Sequence, residues 1–347
     1  MKLNTLAMHK IPWIEHGEIV ISSRIRLARN IPGVQFPSKA DKSTQVNVFD
    51  TLVAVIPEVA ELRNAQVLRL NDFDKIDRRL LMERHLISHE LAVKTNGEPG
   101  LVYKNTEEVS IMINEEDHYR LQIITPELSL KKSWETLSKI DDELNAKLNF
   151  SFHKRFGYLT ACPTNVGTGI RVSCLLHLPA LAMTENIDKL VNGLTKVNVS
   201  VRGFYGEGSQ PLGDIFQISN SVTLGKTENE IIESFIKVIH TVSKYEQEAR
   251  EKLLQKEARH KIEDRIHRAY GILSYAKTID SEEAILHLTS LKLANELNIE
   301  LNFDKDQIDQ LIFIIQPGHL QQIQNSELNS QQRDIARADI IRKRLFH

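Results

Sequence analysis

Five arginines, Arg24, Arg26, Arg120, Arg171 and Arg202, stand at strand or loop junctions in the first two-thirds of this chain. A guanidinium is a planar fork that meets phosphate oxygens through paired hydrogen bonds. Several such forks can neutralise a polyphosphate without a lysine. The usual phosphate signatures are missing. Gly225-Lys226-Thr227 matches the end of a glycine-rich phosphate loop, but Asn220 occupies the place of its first glycine. There is no HRD and DFG pair of the protein-kinase type, and no G-x-G-x-x-G opens a helix.

Carboxylates in two separate loops complement this charge. Glu116 lies in Asn114-Glu115-Glu116-Asp117-His118, and Glu207 in the glycine-rich stretch 202–208. A carboxylate can align a guanidinium and take a proton from it, which turns the group into a nucleophile. Cys162, one of two cysteines, sits in the turn 158–171, YLTACPTNVGTGIR. A nearby arginine and the Thr164 hydroxyl favour its thiolate. Plainer readings stand beside these: acidic turns are commonly solvated, and a lone cysteine is commonly a small buried apolar group.

These residues need elements to hold them. Residues 18–27, EIVISSRIRL, read as a strand. Alternation puts Ser22, Arg24 and Arg26 on one face and Ile21, Ser23, Ile25 and Leu27 on the other. The arginines then form a rigid cationic comb; a solvated edge strand is the alternative. Helices are expected over 41–64, 76–87 and 128–148. The second ends near His85, where a lone histidine is more often structural than functional. Residues 109–113 and 119–124 read as a hairpin tipped by three carboxylates, with Arg120 just inside the second strand. The apolar run 171–181 fits a strand or a buried helix. A helix over 187–194, a strand over 197–201 and a last pair of strands over 214–220 and 221–224 follow. From 228 onward apolar residues recur at helical spacing. Asp280 with Glu283, and Asp304 with Gln307, are helix-start signals. Pro317-Gly318 is expected to break the chain, and Asn329 or Ser330 to cap a final helix. The expected fold is α+β: a catalytic domain over 1–227 with a sheet flanked by helices, then an all-helical domain over 228–347.

A chain of 347 residues can bury a large core. Its net charge of −2 gives no bulk attraction to nucleic acid or to an anionic membrane. Two cysteines make neither a disulfide framework nor a zinc set, which points to a reducing cytoplasm. No window approaches the roughly 20 apolar residues of a membrane span. The opening MKLNTLAMHKIPW lacks the apolar core of a signal peptide.

Five stretches together resemble one family. SSRIRLARN (22–30), NEEDHYR (114–120), CPTNVGTGIR (162–171), VRGFYGEG (201–208) and ISN (218–220) match, in order, the motifs of the ATP:guanido phosphotransferases, the phosphagen kinases. The likeness is closer still to the bacterial protein-arginine kinases of the McsB type. About 20 residues precede SSRIR, too few for the helical domain that opens ordinary phosphagen kinases. The helical C-terminal part carries Arg333-Asp334-Ile335-Ala336-Arg337-Ala338, which fits the RDxxRA element that binds phosphoarginine in that type.

The resemblance implies roles. Arg24, Arg26, Arg120, Arg171 and Arg202 hold the ATP phosphates. Ser22, Ser23 and Ile25 belong to the same nucleotide-binding strand, and His85 lies beside the nucleotide. Val172, Ser173, Cys174 and Leu175, with Gly203, Phe204, Tyr205 and Gly206, complete the ATP contacts. Glu116 and Glu207 hold and activate the guanidinium, and Cys162 sits against it. Arg333, Asp334 and Arg337 form a phosphoarginine pocket. Mg²⁺ accompanies the nucleotide, held chiefly by its oxygens and by water. Implied partners are protein substrates, a ClpC-type unfoldase, a zinc-binding activator and a stress repressor; a homodimer is plausible. Tyr205 replaces an arginine and Gly208 a histidine of the small-molecule phosphagen kinases. The expected activity is therefore phosphorylation of protein arginines that marks them for regulated proteolysis. The alternatives are a kinase for a free guanidino metabolite and a non-catalytic phosphoarginine reader.

Overall fold

The computed structural model describes residues 3–15, 17–204 and 212–346. In chain order the elements are α1 (Asn4–Met8), β1 (Val20–Arg29), α2 (Lys42–Val55), β2 (Gln66–Arg69), α3 (Lys75–Glu83), α4 (His89–Val93), β3 (Gly100–Tyr103), β4 (Val109–Ile113), β5 (Tyr119–Pro126) and α5 (Leu130–Leu148). Then come β6 (Phe152–His153), β7 (Gly157–Tyr158), β8 (Ile170–His177), α6 (Pro179–Met183), α7 (Ile187–Lys196), β9 (Val199–Arg202) and β10 (Ile215–Asn220). The rest is helical: α8 (Glu228–Leu253), α9 (Lys256–Tyr275), α10 (Ser281–Glu296), α11 (Ile308–Ile314), α12 (Pro317–Gln324) and α13 (Ser330–Leu345). The chain divides into two compact units. One comprises Ser22–Ser173 with Ser219–Ile236, the other Met1–Ile21, Cys174–Ile218 and Lys237–His347.

The first unit is built on strands in the order β2-β3-β4-β5-β1-β8, with the pairs from β2 to β1 antiparallel. β1 lies inside the sheet between β5 and β8, so the edge-strand alternative falls away. Its register sets Arg26 opposite Gln122 and Ala28 opposite Arg120. Directly opposed residues share a face, so Arg24, Arg26 and Arg120 all project from the same side. The other side of β1 is apolar, with Ile25 and Leu27 fully buried. Helix α5 buries Leu137, Ile140 and Leu144 at helical spacing.

Three local expectations change here. α2 ends at Val55 and gives way to short 3-10 turns, because Pro57 has no N–H to continue the ladder. α3 ends at Glu83, and His85 takes a left-handed φ of 59°. Residues 221–224 are not a strand. Thr223 instead accepts the N–H and hydroxyl of Thr168 on its carbonyl, while its own hydroxyl donates to the carbonyls of Thr164 and Val166. Its hydrogen bonds go to the Cys162 turn rather than to a ladder.

The second unit contains the ends of β8 and β10, β9 and most of the helices. The run 171–181 resolves into strand β8 and the short α6, started by Pro179 at its first turn. Asp280 caps α10 by accepting from the Glu283 N–H, and Asn329 with Gln332 forms a capping box on α13. The break expected at Pro317-Gly318 is present: α11 ends at Ile314, and Pro317 starts α12 at its first turn. A buried ionic network ties this unit together. Glu246 accepts the N–H groups of Ala180 and Leu181, and Arg250 reaches Glu246 at 2.9 Å and Glu296 at 2.8 Å. Lys292 joins Asp309 at 3.0 Å to the Gly17 carbonyl at 2.7 Å. Among the described residues no helix is long and apolar enough to cross a membrane.

Candidate active site

The arginine face of the first unit is a region of crowded positive charge. Burial and the neighbouring Arg120 and Arg171 bring the Arg24 guanidinium down to about 10. Burial, then Arg24, Arg120 and Arg171, push Arg26 well below its ordinary value, with Glu115 opposing. Burial and the guanidiniums of Arg24 and Arg26 bring His85 to about 3, so its imidazole is neutral at physiological pH. Gln122 positions it by donating Nε2–H to the His85 carbonyl at 2.7 Å. The residue before it, Arg84, is fully buried and anchored on Glu107 through two hydrogen bonds of 2.7 and 2.6 Å. The Arg171 guanidinium donates to Ser219 Oγ at 3.4 Å. The Arg26 Nε is buried and finds no hydrogen-bond acceptor among the described residues. Four mutually repelling guanidiniums with a spare buried donor fit a polyphosphate.

The β4–β5 hairpin tip borders this face. Asn114 turns the chain at φ 57° and donates to the carbonyls of Gln45 and Glu98. Three consecutive carboxylates then have three different environments. Glu115 is buried and pairs with Arg120 at 2.5 Å. Glu116 is 46% exposed, 3.4 Å from Arg120, with its carboxyl raised chiefly by burial while Arg120 opposes. Asp117 is fully buried. Its Oδ1 accepts from Asn30 Nδ2 and from the Ala161 N–H, both at 2.7 Å. Two of these acids are thus structural, against the solvated-loop reading.

Asp117 brings the Cys162 turn to the tip. Cys162 is half-buried, and its Sγ lies 3.0 Å from Thr164 Oγ1. The turn's glycines are required by close approach. Gly167 has φ 117°, and a Cβ there would lie 2.3 Å from the Thr223 carbonyl oxygen. Gly169 has φ 65°, and a Cβ would meet Arg29 Nη1 at 2.7 Å and the Ala28 carbonyl at 2.8 Å. Arg29 lies beneath, paired with Asp141 through Nε and Nη2 at 2.9 and 2.7 Å and donating to the Thr168 carbonyl. It also stacks 3.5 Å from the Tyr158 ring centre.

The structure therefore brings Arg24, Arg26, Arg120, Arg171, His85, Glu116 and Cys162 into one region of one unit. Ser22 is buried on the arginine side of β1, and Val172 and Ser173 are buried in β8. Ser23 and Ile25 point to the opposite side of β1, where Ser23 Oγ donates to the Glu127 carbonyl and accepts from the Ser129 N–H. Cys174, its thiol pushed up by burial, and Leu175 continue β8 in the second unit. Arg202 ends β9 there, followed by buried Gly203 and Phe204. Tyr205, Gly206, Glu207 and Gly208 lie outside the described residues. On α13, Arg337 is buried and donates to the carbonyls of Ile315 and Ile279 and to Asp334, while Arg333 is half-buried and donates to the Leu328 carbonyl. Among the described residues no three His, Cys, Asp or Glu side chains form a metal-binding group. Sequence reasoning missed Asn30, Asp117, Arg29, Asp141 and Thr223. Arg29 and Asn30 at the end of the 22–30 stretch and a third carboxylate in the acidic tip were the visible signals.

Comparison with known proteins agrees with this geometry. The family described as ATP:guanido phosphotransferase, C-terminal catalytic domain, matches residues 47–249. That described as protein-arginine kinase McsB C-terminal domain matches residues 238–347. A protein-arginine kinase of Halothermothrix orenii is 44% identical over 328 residues, spanning 94% of this chain and 93% of its own. One from Geobacillus stearothermophilus is 40% identical, spanning 95% and 91%. The substrate-free duplicated taurocyamine kinase from Schistosoma mansoni superposes with a TM-score of 0.58 at 25% identity, over 71% of this chain and 34% of that longer one. Lombricine kinase shares the fold with a TM-score of 0.60 at 23% identity, over 70% of each chain. The chain belongs to the ATP:guanido phosphotransferase family, on its protein-arginine kinase branch.

Proposed function

We propose that this chain phosphorylates arginine side chains of proteins with ATP, and that the arginine face beside Glu116 and Cys162 is where it does so. The observation that carries this reading is the crowding of Arg24, Arg26, Arg120 and Arg171 on one sheet face next to the acidic tip. The reaction is an in-line displacement, in which catalysis is mostly positioning and charge neutralisation. The four arginines, with Arg202, hold the phosphates of ATP. Glu116 and Glu207 align the incoming guanidinium, and Glu116 accepts its proton. The new N–P bond forms as the bond from the γ-phosphorus to the bridging oxygen breaks, and ADP departs. Cys162 forms the floor against the guanidinium. Mg²⁺, when bound with the nucleotide, supplies further positive charge and is held chiefly by phosphate oxygens and water.

Residues 1–227 form the catalytic domain in this reading and 228–347 a regulatory helical domain. Arg333 and Asp334 contact phosphoarginine, and Arg337 braces Asp334 from beneath. The mark directs proteins to regulated proteolysis by a ClpC-type unfoldase in the cytoplasm, with a zinc-binding activator, a stress repressor and a homodimeric kinase. The test is incubation with ATP and casein. Acid-labile phosphate on arginine is expected, and it should be lost in Glu207→Ala. Unmodified casein arginines, or full activity in that variant, would overturn the assignment.

A further inference from the structure

Helices α7 and α8 bound a groove that the phosphoryl transfer does not use. Its volume is about 690 Å³, and both walls lie in the second unit. Leu190, Leu194 and Val197 line it from the α7 side, and Val238, Val242 and Tyr245 from α8. On α8 these positions recur at i, i+4 and i+7, one continuous stripe. The groove is unfinished as core: Val197 on its α7 side is 58% exposed and Tyr245 on α8 is 48% exposed.

The rim is basic. Lys189, Lys237 and Lys252 border the groove against a single glutamate, Glu248. Glu248 already faces Lys244 at 3.8 Å. Lys237 and Lys252 have no ion-pair partner among the described residues, and Lys189 makes one hydrogen bond to Asn186 Oδ1 at 3.2 Å. Lys237 and Lys252 are 15 residues apart on one helix, about 22 Å at 1.5 Å per residue. A ligand with one acidic headgroup, such as a fatty acid, pairs with one end of such a slot. A helix with carboxylates along its length pairs with both ends while its apolar stripe enters between them. The volume lies within the range of about 300–1,000 Å³ typical of built pockets.

We propose that the α7–α8 groove docks an acidic amphipathic helix of a partner protein. This assignment stands apart from the kinase reading, since none of its residues belongs to the arginine face or to α13. The test uses the full chain and a display library of 18-residue helices, with leucines fixed at i, i+3, i+4 and i+7 and randomised flanks. Selection against wild type, with counter-selection on a Val197→Glu/Tyr245→Glu double variant, should enrich Asp and Glu at the flanks. Selected peptides should bind wild type at least tenfold more tightly than Lys237→Glu, and more weakly as salt rises. Both altered apolar positions are exposed, and an unchanged melting temperature confirms that the double variant folds. Flanks without acidic enrichment, or equal binding to the variants, would remove the proposal. Oleate binding without peptide binding would also remove it. So would a dimer that the double variant converts to monomer, because a second copy would then be the occupant.

Discussion

Replacing Asp117 with alanine tests whether one buried carboxylate joins the acidic tip to the Cys162 turn. Asp117 Oδ1 accepts two hydrogen bonds, from Asn30 and from the Ala161 N–H, each at 2.7 Å. When the side chain is removed, the buried Asn30 amide keeps only the Leu159 carbonyl, and the part-buried Ala161 N–H loses its acceptor. An orphaned buried donor costs about 1–3 kcal/mol, and with one donor partly solvated the loss should be about 2–3 kcal/mol. The urea midpoint should fall accordingly at constant m-value. The tip and the turn would also lose their common anchor, and a misplacement near 1 Å costs about 100-fold in rate. The loss should fall on kcat, because the β1 arginines do not depend on Asp117. KM for ATP should stay within about twofold of wild type. Asp117→Asn keeps an oxygen for both donors and should recover most of the stability. Its Oδ2 site offers no partner among the described residues, so recovery should be incomplete. Unchanged unfolding and kcat in Asp117→Ala, or a defect confined to KM for ATP, would refute the reasoning.

Asp141→Ala leaves the Arg29 guanidinium buried and uncompensated beneath the Cys162 turn. Breaking such a pair costs about 3–5 kcal/mol, which calorimetry should record as a lower Tm, whereas Arg29→Met/Asp141→Leu together should cost less. Burial raises the Glu116 carboxyl, and a base must be unprotonated. The kcat/KM profile should therefore fall toward acid with a midpoint raised from that of an ordinary glutamate, and Glu116→Gln should abolish that limb and lower kcat about 100-fold or more. Arg337→Ala should destabilise the fold, because its buried guanidinium serves Ile315, Ile279 and Asp334. Arg333→Ala should leave Tm nearly unchanged and weaken phosphoarginine binding, read by calorimetric titration.

The parts of the fold that were legible in the sequence share one property: their signal is local. The β1 comb follows from alternation, the acidic hairpin from two short strands and a polar tip, and the α13 start from a cap residue at Asn329 or Ser330. The missing parts depend on distant partners. Arg29 meets Asp141 at a separation of 112 residues, and nothing in either neighbourhood marks the pair. Thr223 looked like part of a strand because its segment is β-prone, yet its hydrogen bonds are made with Thr164, Val166 and Thr168. Strand β8 is buried along nearly its whole length, so it shows no alternation and reads equally well as a helix. The break at Pro317 is legible because proline cannot continue one helix but can begin the next from its first turn. In the site, the arginines were visible by type, but the division of labour among Glu115, Glu116 and Asp117 was not, since it depends on which of them the turn buries.

The arginine face also links this protein's persistence to its fuel. Arg24, Arg26, Arg120 and Arg171 repel one another, while Glu115 and Glu116 pair with Arg120 and Glu115 also opposes the charge crowding at Arg26. Without a counter-anion, that repulsion works against the folded chain. A polyanion that binds only the native state stabilises it by RT ln(1 + [L]/Kd), about 2.7 kcal/mol at a hundredfold excess over Kd. Tripolyphosphate, which carries the charge of the nucleotide without its base, should raise Tm by scanning fluorimetry, and added salt should erase the gain. A cell short of ATP would then hold a kinase that is not only idle but easier to unfold and degrade, so the enzyme's own abundance would follow the energy state it draws on.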